Sequence, residues 1–397
     1  MSRRRTLARL ALVAIACVVA ILGADLVLRL FAGGWLYYRE HERFVERWPE
    51  LPVVTRYESN VDDSAETFGD LAAMIGREEL REPRRVVFRT DSFGFRNDEK
   101  PRDRRPYDLI VLGDSFGVGT GTTQERTWVS LLQGRQGLEV YNLSMPGSPL
   151  HHSVNLATQI ERLPVHAGSL VLLALFSGND LDDDYPDPWV KLSSLPWSRP
   201  GERLAVRLST FLRRSPLRQL VERRREGQRS AADVLVRDFP EGRKVLFFRP
   251  YAERRKRTQA MVRSHPHYGR LLAAIRDIRR VAGEHRLPLG VLLLPSKEEV
   301  YEWSLEGSPP WTTDRRPSGF ARAVGEFCRR DGLGFFDLEP ALVEAAQAEH
   351  ERSGRLLYWT DDTHWNETGH AVVADLAVRQ LLPALSPRDG SARGGRP

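Results

Sequence analysis

Five short apolar runs constrain this chain more than any other feature: Leu109–Leu112, Val140–Leu143, Leu170–Phe176, Leu289–Leu294 and Phe335–Leu338. Leu170–Phe176 contains no polar residue and suits a strand buried on both faces. Stretches of helical spacing separate the runs. Thr122-Thr123-Gln124-Glu125 fits a capping box opening a helix through Leu132. Val154–Leu163, Leu271 to about His285, Ala341–Ala348 and Ala371–Leu382 read as further helices. Strands joined by helices need crossover connections, so the alternation predicts the α/β class with a parallel sheet and right-handed crossovers.

Open parallel sheets gather functional groups at the carboxyl ends of their strands. Gly113-Asp114-Ser115-Phe116-Gly117 follows the first run directly, with Gly119 and Gly121 behind it. Ser115 therefore emerges at that edge, beside the backbone N–H groups of the next turn. Turn serines commonly satisfy their own backbone, but the far end of the chain sets this one apart. There Asp361-Asp362-Thr363-His364-Trp365-Asn366 precedes an amphipathic helix from Glu367. A serine nucleophile needs a base to take its proton and a carboxylate to orient that base. Ser115, His364 and either Asp361 or Asp362 supply those roles. Asn142–Gly147 and Ser177-Gly178-Asn179-Asp180 also follow apolar runs. They offer a backbone N–H and a side-chain amide to an oxyanion.

Gly-Asp-Ser-Phe at Ser115, Gly147, Asn179 in Gly-Asn-Asp, and His364 resemble, in order and interval, the four blocks that name the SGNH (GDSL) hydrolase family. The resemblance spans roughly residues 106–385. It implies a flavodoxin-like three-layer α/β/α sandwich, Ser–His–Asp ester chemistry, and an oxyanion hole from the Ser115 N–H, the Gly147 N–H and the Asn179 side chain. The family's usual Asp-x-x-His spacing points to Asp361, and a subset with Asp-x-His-Trp-Asn points to Asp362; Asp361 is the first choice. An acid and a histidine in one late loop argue against the α/β-hydrolase order, where they are well separated.

The N-terminus bears on location. Arg3-Arg4-Arg5 and Arg9 precede an uncharged run, Leu10–Ala24, of 15 residues, short of the roughly 20 that span a bilayer. Leu7–Phe31 counts 25 residues, roughly 37 Å of helix, which is enough. Asp25 and Arg29, at i and i+4, can pair near the far interface. A cleaved signal peptide is the competing reading, but Leu22-Gly23-Ala24 is a poor cleavage site and the retained anchor is preferred. The basic end stays cytoplasmic and the rest is exported: a single-pass protein with an extracytoplasmic domain. Cys17 and Cys328 build no disulfide framework.

The expected organisation is an anchor over 1–31, a connector over 32–105, a hydrolase-like domain over 106–385, and a disordered Gly/Ser/Arg/Pro-rich tail over 386–397. Trp35, Tyr37, Tyr38 and Trp48 suit packing against the domain or an interfacial belt. Val86–Asn97 reads as a strand and turn, and similar Asn/Asp-Ser-x-Gly-Phe-Arg segments precede the serine block in membrane-anchored family members. Arg96 there is given a structural role. Pro295-Ser296-Lys297-Glu298 follows a strand, again at the functional edge, and resembles a segment of those members. Lys297 and Glu298 are candidates to line the substrate cleft, with an exposed helix start as the plainer account.

Residues 182–262 form an insertion longer than a crossover needs. From Arg199 to Arg257 it holds 18 Lys/Arg against 7 Asp/Glu, with Leu204, Leu208, Leu212, Leu217, Leu220 and Val221 near helical spacing. This is a basic helical cap suited to anionic lipid, an acidic glycan or a partner protein, or simply a solvated face. Nucleic acid is not an expected partner of an exported domain. His151-His152 lacks the companions of a metal site, Asp182-Asp183-Asp184 reads as a solvated turn, and Asp180 orders the Asn179 loop. No metal or organic cofactor is expected. The expected function is an exported, membrane-anchored serine esterase acting on an acyl ester carried by a glycan or lipid. O-acyl transfer or deacetylation on a cell-surface polysaccharide, and a non-catalytic glycan-binding or assembly factor, are the alternatives.

Overall fold

The computed structural model describes residues 2–31, 42–47, 55–98, 105–183, 200–213, 215–218, 220–221, 231–312 and 316–385. Trp35, Tyr37, Tyr38, Trp48, Asp184, the Arg223-Arg224-Arg225 cluster and the expected tail lie outside the described residues. In chain order the strands are β1 Val45–Arg47, β2 Thr55–Tyr57, β3 Asp62–Thr67, β4 Arg84–Arg89, β5 Tyr107–Gly113, β6 Val140–Asn142, β7 Val165–Phe176, β8 Val234–Asp238, β9 Lys244–Phe248, β10 Leu289–Leu294 and β11 Gly334–Asp337.

Five of them form the central sheet in the order β11-β10-β7-β5-β6, every pair parallel. Counted within the sheet this is the flavodoxin-like order 2-1-3-4-5, whose topological switch point falls between β5 and β7. The register sets Val111 beside Leu172 and Ala174 beside Leu292.

The strands are apolar on both sides because both sides are covered. Ile110, Leu112, Val171, Leu173, Val291 and Leu293 pack with residues of the helices Pro149–Gln159, Tyr268–Glu284 and Gly319–Arg330. Their alternates, Leu109, Val111, Leu172, Ala174, Leu292 and Leu294, pack against Trp128–Gln136, Glu339–Ser353 and Glu367–Leu385. Period-two alternation thus sorts one set of strands into two separate cores, the mark of a three-layer α/β/α sandwich.

Two local expectations are corrected. The expected capping box at Thr122–Glu125 opens no long helix, because its side chains are used elsewhere. The Thr123 hydroxyl accepts from Val87 N–H at 3.0 Å, Gln124 serves Arg96, and Thr127 caps the helix instead, accepting from Ser130 N–H. Nor is the insertion purely helical. Beside the helix Pro200–Arg213 it contains the antiparallel β8–β9 hairpin. Val-Leu-Val and Val-Leu-Phe-Phe are strand-forming sequences, and Leu246 N–H donates to Thr360 C=O at 2.8 Å, seating the hairpin on the His364 loop.

Candidate active site

Ser115 opens a four-residue helix, Ser115–Val118, at the end of β5. Asp114 caps it, Oδ1 accepting from Phe116 N–H at 2.9 Å, and Gly119 closes it in the left-handed region. Gly117 is required by proximity: a Cβ there would lie 2.3 Å from Ser144 Oγ. Arg96, buried, spends its guanidinium on this turn. It donates to the carbonyls of Val118 (3.1 Å), Gly119 (2.8 Å) and Thr122 (2.7 Å), and to Gln124 Oε1 (3.0 Å).

His364 belongs to a tight turn closed by the Tyr358–Trp365 bridge and by Trp359 N–H donating to His364 C=O at 3.1 Å. Asn366 pins the start of the helix Glu367–Leu385, Nδ2 donating to Leu356 C=O at 2.7 Å and Oδ1 accepting from Gly369 N–H at 2.9 Å. The imidazole packs on Phe116, ring centroids 4.8 Å apart. Its Nε2 lies 2.8 Å from Ser115 Oγ and its Nδ1 lies 2.7 Å from Asp362 Oδ1. An ionised carboxylate only accepts, which places a proton on Nδ1 and leaves Nε2 free to accept from the serine hydroxyl.

The first choice of Asp361 is therefore corrected. Asp361 points away from the ring: its Oδ2 accepts from Gly69 N–H at 2.7 Å and Glu82 N–H at 2.9 Å. The immediate neighbour reaches the imidazole because the turn places residues 362 and 364 on the same side. Burial pushes the Asp361 carboxyl above its ordinary value, against the pull of Arg84.

Arg84, on β4, was not singled out from the sequence. Its guanidinium bridges both acids, at 2.9 Å from Asp361 Oδ1 and 2.9 Å from Asp362 Oδ2, and lies over the Trp359 ring at 4.2 Å. Glu82 Oε2 accepts from both Thr360 N–H and its hydroxyl, at 2.9 and 2.8 Å. The stretch expected to connect anchor and domain thus holds the histidine loop. A lone arginine in a short strand carries no local signal of such a role.

Lys297 and Glu298 open a short helix, but the expected exposure is corrected: both are buried, Lys297 beneath the His364 loop. The Lys297 ammonium donates to Trp359 C=O at 3.0 Å and to Asp362 C=O. Glu298 Oε1 accepts from Phe248 N–H at 2.7 Å. Burial pulls the Lys297 ammonium below its ordinary value, against the surrounding carboxylates, and pushes Glu298 up to about 7 against the pull of Lys297.

Gly147 and Asn179 sit in the loops after β6 and β7, at the same sheet edge as Ser115. Gly147 has φ 141°, a conformation that strains any other residue. The Asn179 loop is held from within by Asp180, whose Oδ2 accepts from Phe176 N–H at 2.7 Å, and by Asp182 and Asp183 N–H donating to Asn179 C=O. Asp182, expected to be solvated, is gripped instead by Arg257 through two 2.7 Å bonds and by Arg254 at 3.1 Å. Arg254 also donates to Gly178 C=O. Burial, with Asp183 nearby, pushes Asp114 up to about 7. Asp180 is driven well above its ordinary value by burial, then by Asp114 and Asp183. Among the described residues no His, Cys, Asp and Glu cluster could hold a metal ion.

The sequence profile of the GDSL-like Lipase/Acylhydrolase family matches residues 111–372. The chain belongs to that family. No curated protein matches it. Among solved structures it is similar to the salicylyl-acyltransferase SsfX3 of a tetracycline biosynthetic pathway, at 14% identity and TM-score 0.30 over 72% of this chain and 57% of that one. The chain therefore spans little more than half of that relative's length. Protein YXIM of Bacillus subtilis is similar at 11% identity and TM-score 0.39, over 82% and 75%. A lipolytic G-D-S-L family protein of Desulfitobacterium hafniense is similar at 12% and 0.28, over 67% and 98%.

Proposed function

We propose that this GDSL protein is an exported, membrane-anchored serine ester hydrolase, with Ser115, His364 and Asp362 as its relay. One observation carries the reading: a single line of contacts runs from Ser115 Oγ through both ring nitrogens of His364 to Asp362. Ser115 Oγ attacks the ester carbonyl as His364 Nε2 takes its proton, and Asp362 stabilises the imidazolium. The Ser115 N–H, the Gly147 N–H and the Asn179 amide donate to the oxyanion. The imidazolium then protonates the departing alcohol, leaving an acyl-serine. Water, deprotonated by the same nitrogen, releases the acid and restores the serine. An acceptor hydroxyl in place of water turns the second half into acyl transfer.

The anchor reading rests on the helix Ser2–Phe31, whose Arg9–Leu30 segment contains an 18-residue stretch of mean hydropathy 2.7 that is almost wholly unburied. The arginines at its start keep that end in the cytoplasm. The test is labelling of Ser115 by a fluorophosphonate, together with hydrolysis of short activated acyl esters. Wild type should do both and Ser115→Ala neither, with unchanged circular dichroism. Equal turnover by the two would refute the enzyme reading.

A further inference from the structure

The helix Pro200–Arg213 carries its apolar stripe outward. Leu204, Leu208, Phe211 and Leu212 recur at i, i+4, i+7 and i+8 and are 61, 55, 53 and 56% exposed, while Arg203, Val206 and Ser209 are half-buried. A surface helix of a soluble domain turns such a stripe toward the core. Leu220 and Val221, further along the chain, are exposed as well. Contiguous apolar patches of this kind mark a surface that something else covers.

The contacts of this helix say what covers it. Within Arg9–Leu30 the buried position is Asp25, and Asp25 is where the two helices meet. Arg29 Nε binds Asp25 Oδ2 at 2.7 Å, Arg29 Nη2 donates to Phe211 C=O at 2.8 Å, and its guanidinium lies 4.2 Å over the Phe211 ring. The Ser215 hydroxyl donates to Asp25 Oδ1 at 2.5 Å. Asp25 and Arg29 are also the charges that end the uncharged run Leu10–Ala24. Charged side chains sit at or beyond the headgroup layer rather than at the bilayer centre, so this polar knot marks the level at which the spanning helix leaves the hydrocarbon. The outward stripe begins at that level.

We propose that Pro200–Arg213 lies in the plane of the membrane interface, with Leu204, Leu208, Phe211 and Leu212 among the acyl chains and the exposed Arg207 at the lipid phosphates. The occupant of the stripe is the bilayer that Ser2–Phe31 spans, and the inference rests on that anchor reading. An amphipathic helix with a basic polar side is the form that lies on a membrane rather than across it. Two attachments joined by the Asp25–Arg29–Phe211 knot fix the tilt of the catalytic domain, which a single spanning helix leaves free.

The test uses the full chain in vesicles of phosphatidylcholine and phosphatidylglycerol. Nitroxides are placed at Val18→Cys, Leu208→Cys or Glu202→Cys in a Cys17→Ser, Cys328→Ala background, each variant first shown to label with the fluorophosphonate. Power saturation then compares collision with oxygen, which partitions into lipid, and with a water-soluble nickel chelate. The expected result is an oxygen preference at Val18 and Leu208 and a nickel preference at Glu202, on the opposite side of the helix. A lipid signature at Val18 with Leu208 in water overturns the interfacial helix and leaves the anchor standing. Water at both positions overturns the anchor, and the inference with it. Spin–spin broadening between Leu208 labels on two copies assigns the stripe to self-association and also overturns it.

Discussion

Arg84 and Asp362 stand 2.9 Å apart although 278 positions separate them in sequence. Both side chains are nearly sealed from solvent, and the same guanidinium holds Asp361. A buried carboxylate stays ionised only with a cation or several donors nearby. Arg84 thus sets a cation against the acid of the proposed relay and fixes the side from which it meets the imidazole.

Removing that cation is expected to expose the dependence. Arg84→Met leaves two buried carboxylates without their shared cation, and losing one partner of a buried ion pair costs about 3–5 kcal/mol. Its melting temperature should fall accordingly. Arg84→Lys keeps the charge but loses the fork. It should fold, and lose about 10²-fold in kcat with KM little changed, the order expected from an ångström-scale misplacement. Wild-type kcat in folded Arg84→Lys would reduce Arg84 to a packing role.

The neighbouring acids should separate cleanly in kinetics. Asp362→Asn removes the acceptor at His364 Nδ1 and should lower kcat by about 10⁴-fold, the loss seen when the imidazole adopts the wrong tautomer. Asp361→Asn disturbs only the contacts to Gly69, Glu82 and Arg84, so its turnover should stay close to wild type while its melting temperature drops. Steady-state rates beside thermal unfolding distinguish the two, and the reverse ranking would reassign the acid.

The grip of Arg257 on Asp182 predicts a transition-state effect. Asp182 sits three residues beyond Asn179, and its N–H donates to Asn179 C=O at 2.7 Å. Arg257→Ala should loosen the loop and lower kcat by up to about 10²-fold, toward the cost of losing one oxyanion donor. Affinity for a non-reactive substrate analogue should be little altered. A change confined to KM would place Arg257 in ground-state binding.

Asp114 makes stability depend on pH in a definite direction. Its folded pKa is raised to about 7 from 3.8 by burial, so the folded state binds the extra proton across that window. The contribution is fully present below 3.8 and is lost as pH rises through about 7. Asp114→Asn retains the oxygen that caps Phe116 and removes the titrating group. Unfolding curves should show wild type losing stability from pH 5 to pH 8 relative to Asp114→Asn; parallel curves would exclude this group as the cause.

Much of the site was legible because its signals are local. A parallel sheet brings the ends of its strands to one edge, so Ser115, Gly147 and Asn179, each in the loop after an apolar run, had to converge there. Helix and strand periodicity likewise revealed the layers, since a strand apolar on both faces must be covered on both. Lys297 and Glu298 lie at that edge too, yet neither is exposed. Edge position says nothing about depth, and the β8–β9 hairpin, which roofs them through Phe247 and Phe248, was hidden in a stretch read as helical.

The sequence by itself determined the fold class, the loops that carry the reactive groups, and the amphipathic character of Pro200–Arg213, because each comes from the period or order of nearby residues. Only the tertiary structure decided that Asp362 rather than Asp361 reaches His364, that Arg84 joins both acids, and that the apolar stripe of Pro200–Arg213 faces outward beside the end of the N-terminal helix. These depend on how one turn is rotated and which distant surfaces meet. A carboxylate's reach changes side with one residue of a turn, and a stripe's periodicity is the same whether it faces a core or a bilayer.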